Sequence, residues 1–69
     1  MSLWETMTEQ ERFDTLTNMR LDGGGFASRL AAAWMWADSC NNARLAAAFP
    51  DLIEKFQPSN WSRPCENTP

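Results

Sequence analysis

The chain has 69 residues, a formal charge of −3, no histidine and two cysteines, Cys40 and Cys65. A chain this short makes one domain and buries only about 60% of the surface its unfolded form would expose, so its own core is marginal. Without histidine or a CxxC spacing the common zinc sites are excluded, the mild acidity removes general attraction to phosphate backbones, and a partner subunit becomes the expected supplement.

The first segment carries three overlapping capping-box patterns, Ser2-x-x-Glu5, Thr6-x-x-Glu9 and Thr8-x-x-Glu11. In each, a hydroxyl and a carboxylate can exchange bonds with free backbone amides at a helix start. Phe13, Leu16 and Met19 follow at helical spacing, which predicts a helix over about 8–21 with a narrow apolar stripe and peripheral packing. Asp22-Gly23-Gly24-Gly25 ends it, because three successive glycines carry a large backbone entropy cost and enter left-handed conformations freely. A glycine-rich stretch before a helix also invites a phosphate-cradle reading. No strand precedes it and no Lys-Ser/Thr follows, so a hinge or C-cap is the reading kept.

A second helix is expected over about 26–37, with Phe26, Leu30, Ala33, Trp34 and Ala37 on the intramolecular face. The run Ala31-Ala32-Ala33-Trp34-Met35-Trp36-Ala37 is the most informative stretch in the chain. At about 100° per residue, Trp34 and Trp36 project roughly 200° apart, so one indole enters the core and the other requires an outside cover. Arg29, Ala32 and Trp36 lie around the back, with Met35 between the two surfaces. Asp38 or Ser39 then caps a third helix over about 40–56, in which Leu45, Phe49, Leu52, Ile53 and Phe56 keep the helical period across Pro50. Proline predicts a kink or a fresh start near residues 49–51. The short joint and the alanine runs Ala31–Ala33 and Ala46–Ala48 make helices two and three a close hairpin, with the first helix packed across it. Residues 1–57 form the domain and 58–69 an irregular, proline-rich tail from which Trp61 is expected to dock back.

Chemistry is sparse. Cys40 near a helix start has no histidine to activate it, and Glu9 with Glu11 or Asp51 with Glu54 read as helix-start charges, so no catalytic residue, cofactor or metal site is assigned. Helices two and three have a helix-turn-helix look, but Arg44 and Lys55 are too few to hold a phosphate backbone, leaving a degenerate nucleic-acid regulator as the alternative function. The longest apolar run is too short for a membrane span, and an N-terminus without a basic region points to a cytoplasmic chain with free thiols. Four Trp, four Phe and four Met exceed what one hairpin can hide. The expectation is therefore an all-α protein-binding domain, homodimeric, with Arg29, Met35, Trp36 and Trp61 as contact residues.

The pattern Ala37-Asp38-x-x-Asn41-x-x-Arg44-Leu45-x-x-Ala48-Phe49-Pro50, preceded by Phe26-x-x-x-Leu30, resembles that of very small proteins encoded by phages, prophages and plasmids. The resemblance spans residues 26–56. It implies a mobile-element accessory protein that binds a host protein and inhibits or redirects it, in host takeover or against host defence; a virion or assembly component is a further alternative function. It carries no functional residues over.

Overall fold

The computed structural model describes residues 3–61, which fold into five helices: α1 Leu3–Thr6, α2 Glu9–Asp22, α3 Gly24–Met35, α4 Ser39–Ala48 and α5 Pro50–Phe56. No strand occurs among the described residues, and the chain is all-α. Two additions to the expected helices account for the higher count. The tail of the N-terminus forms the single turn α1, and Pro50 divides the last helix in two.

Local chemistry explains each boundary. Of the three capping boxes in the sequence, the one at Thr8 starts α2: the Glu11 amide donates to Thr8 Oγ1 at 3.1 Å, and the Thr8 amide donates to Glu11 Oε1 at 2.8 Å. That choice leaves residues 3–6 free to form α1, which places Trp4 in the core. Asp38 caps α4 by accepting from the Asn41 amide at 2.9 Å. Pro50 occupies the first turn of α5, where its missing N–H has no partner to lose.

The glycines act more sharply than a flexible hinge. Only Gly23 separates α2 from α3, while Gly24 and Gly25 belong to α3. Gly24 sits at φ +79°, the left-handed region that reverses the chain. At Gly23 a Cβ would collide with the Met19 carbonyl oxygen and stand 2.7 Å from the Ala27 Cβ, so a side chain there would drive α2 and α3 apart. The most extensive packing in the molecule is accordingly between α2 and α3, not in the hairpin of α3 with α4 that the sequence led us to expect. The α3–α4 pairing exists but is looser. It is held at one end by Trp34 Nε1 donating to Asn42 Oδ1 at 2.7 Å, and at the other by Phe26 and Phe49, with ring centroids 5.9 Å apart.

Trp34, Met19 and Ile53 are the largest fully buried apolar side chains, with Trp4, Met7, Leu16, Ala27, Ala31, Ala46 and Phe56 around them. Trp4 and Trp34 pack at 5.2 Å between centroids. On α3 the buried stripe is Ala27, Ala31 and Trp34, roughly a quarter turn from the expected face. Phe26 and Ala33, assigned inward from the sequence, are exposed. Close approach of α2 demands small residues along the contact, so the alanines turn inward and the phenylalanine is displaced. Phe13 is likewise exposed, and Thr15 takes its place in the core with its hydroxyl donating to the Glu11 carbonyl at 2.7 Å. The fifth helix closes the other side of the core against α1 and α2, where Asn18 Nδ2 donates to the Phe56 carbonyl at 2.9 Å.

Candidate protein interface

Between α2 and α4 the molecule leaves an open trough of about 750 Å³. Its walls are helical. One carries Glu9, Arg12, Phe13 and Leu16 of α2, spaced i, i+3, i+4 and i+7, and the other carries Ser39, Asn42, Ala43, Ala46 and Ala47 of α4. The floor is the Trp4–Trp34 pair, and Met35 closes one side. A helical bundle with one helix withdrawn would present such a surface: two helical ridges, with small alanines along one and Phe13 and Leu16 along the other.

Two polar side chains of the trough, Asn42 and Arg12, are already engaged. Asn42 accepts from Trp34, and its own Nδ2 donates to the Ala37 carbonyl at 3.4 Å. Arg12 Nε donates to the Trp4 carbonyl at 2.9 Å, and the guanidinium lies 5.2 Å from the centre of the Trp4 ring. These two side chains fix the floor in place, which makes the trough a preformed surface. Glu5 and Glu9 stand at the end where α1 meets α2, giving that end an acidic margin.

The four residues singled out from the sequence do not form one patch. Met35 is half-buried and borders the trough. Trp36 is 90% exposed at the end of α3, and Arg29, also exposed, lies two turns before it on the same outer face. Trp61 is elsewhere. Its ring packs on Phe56 at 4.7 Å, its Nε1 donates to Asp22 Oδ2 at 3.0 Å, and it is half-buried at the end of α2 farthest from Glu9. Trp61 thus docks on its own domain, and its ring covers the end of the core instead of facing outward. Sequence reasoning missed Trp4, Phe13, Ala43 and Ala47 as lining residues. The alanine spacing on α4 was visible, but it read as a close contact with α3.

Among the described residues no group of three metal-ligating side chains converges, and no helix is long and apolar enough to cross a membrane. Cys40 is exposed and unpaired; Cys65 lies outside the described residues. The chain matches no known protein family, curated protein or solved structure.

Proposed function

We propose that this chain is a protein-binding accessory factor that seats an amphipathic helix of a target protein in the trough between α2 and α4, and so inhibits or redirects that target. The observation that carries this reading is the trough itself, preformed over the Trp4–Trp34 floor and left open by the described residues. A small-molecule site needs a few polar groups free to orient its ligand. Here Arg12 and Asn42 are committed to the fold, and apart from Glu5, Glu9 and Ser39 in the first turns of their helices the lining is apolar surface between two helical ridges, the form that accepts the i, i+3/i+4, i+7 stripe of a third helix. Glu9, in the first turn of α2, favours a target helix with lysine or arginine at the end that meets it. The resemblance of residues 26–56 to mobile-element accessory proteins supports a host protein as the target.

Ala47 is exposed on the trough wall, so Ala47→Trp fills the trough without disturbing the core. Proteins captured from host lysate by the wild-type chain should be lost with Ala47→Trp, and a peptide from the captured helix should compete for the site. A capture profile unchanged by Ala47→Trp would overturn the assignment.

A further inference from the structure

The outer face of α3 carries a second, separate surface. Phe26, Arg29, Ala33 and Trp36 are all exposed, and they fall at intervals of three, four and three residues along one stripe. The Trp36 backbone remains near helical, at φ −94° and ψ −2°, so its indole stays in the register of the helix. Phe26 is 65% exposed although its ring already rests on Phe49, and Trp36 is 90% exposed. The described residues leave most of each ring uncovered.

The spacing of this stripe is palindromic. Positions 26 and 36 are equidistant from residue 31, and so are positions 29 and 33. If two such helices lie antiparallel about a two-fold axis at the level of residue 31, every position meets a complementary one: Phe26 faces Trp36 of the second copy at both ends, and Arg29 faces Ala33. We propose that this stripe docks a second copy of the chain in that register. An isologous pair requires a self-complementary surface, and the alternation of large, long, small and large side chains supplies one. Arg29 lies one turn from Phe26, so its guanidinium reaches the indole face of the other copy's Trp36 across the gap left by Ala33.

The area agrees with this occupant. Given side-chain surfaces of about 150–250 Å² for aromatic residues, the exposed parts of Trp36 and Phe26 amount to roughly 350 Å² per copy. With Arg29 and Ala33 fully covered as well, two copies bury at most about 1,000 Å² in total, the threshold for a biological interface and the size of a weak, reversible dimer. Charge refines the argument. No acid occurs in α3, so each Arg29 meets no carboxylate from the other copy's α3. A carboxylate placed at position 33 would face Arg29 twice, once on each side of the axis.

Sedimentation equilibrium of the full chain tests the proposal. The wild type should form a dimer, and Trp36→Ala should raise its dissociation constant about tenfold or more with helicity by circular dichroism unchanged, whereas Phe26→Ala should weaken the dimer and also lower Tm, because it removes the contact with Phe49. Ala33→Glu and Ala33→Lys both fill the gap at an exposed position, and Ala33→Lys, which sets a second cation beside Arg29, should loosen the dimer more than Ala33→Glu. A monomeric mass at every concentration would overturn the proposal. So would a dimer indifferent to Trp36→Ala, or one in which Ala33→Glu and Ala33→Lys act alike. Ala47→Trp, which fills the trough, should leave the dimer intact, so failure of self-association and failure of target binding are separately visible.

Discussion

Truncating the two neighbouring tryptophans of α3 should have opposite consequences. Trp34 is fully buried, packs on Trp4 and donates to Asn42. Replacing a buried tryptophan by alanine costs about 3–5 kcal/mol, and here it also leaves the Asn42 carbonyl oxygen without its donor. A domain of this length has a total stability of roughly 3–10 kcal/mol. Trp34→Ala should therefore lower Tm by about 12 °C or more, or leave the chain unfolded at room temperature. Trp34→Phe keeps a ring in the site but removes the 2.7 Å hydrogen bond, and should cost about 1–3 kcal/mol. Trp36→Ala, at a position 90% exposed, should change stability by no more than about 0.5 kcal/mol at dilutions where copies do not associate. Thermal melts followed by circular dichroism at 222 nm, paired with urea titrations, measure all three. Equal destabilisation by Trp34→Ala and Trp36→Ala in the dilute monomer would place both rings in one core and refute the division of α3 into an inner and an outer face.

Gly24→Ala places a side chain at φ +79° in otherwise open space, so it should cost about 1–2 kcal/mol in urea unfolding with no change in the folded spectrum. Gly23→Ala should be far worse, because its Cβ meets the Met19 carbonyl and Ala27; loss of cooperative unfolding in this variant but not in Gly24→Ala is the expected signature. Thr8→Ala removes the side-chain half of the capping box and should lower stability by about 1 kcal/mol, read as faster amide exchange in the first turn of α2. Trp61→Ala should expose Phe56 and lower Tm by a few degrees, whereas Trp61→Phe, which keeps the ring contact and loses only the bond to Asp22, should retain most of that stability.

Much of the secondary structure was legible in the residues, because caps and breakers act locally. Thr8 with Glu11, Asp38, Pro50 and the glycine run each mark a boundary through bonds within four residues of themselves, so no knowledge of the fold is needed to place them. The divergence of Trp34 from Trp36 was equally legible, being a property of helical pitch. What could not be read was which way α3 would turn. Ranking side chains by size puts Phe26 inward, but packing ranks them by fit, and the near-contact of α2 and α3 at Gly23 admits only Ala27 and Ala31 along the seam. Phe13 was displaced by the same logic, with Thr15 taking the inner position once its hydroxyl could be satisfied by the Glu11 carbonyl.

The trough between α2 and α4 belongs wholly to the tertiary level. Its lining residues come from four helices, and nothing in their local spacing states that α4 would stand away from α2 or that Trp4, in a one-turn helix, would supply the floor. Although α1 and the helical place of Gly24 and Gly25 were not legible in it, the sequence by itself determined the helix starts at Thr8, Asp38 and Pro50, the helical class of the chain, and that one indole of α3 must look outward. Those outcomes depend on hydrogen bonds and geometry a few residues in reach. Which faces meet, and which surfaces are left bare for a partner, were decided only when the close approach at Gly23 fixed the rotation of α3 about its own axis.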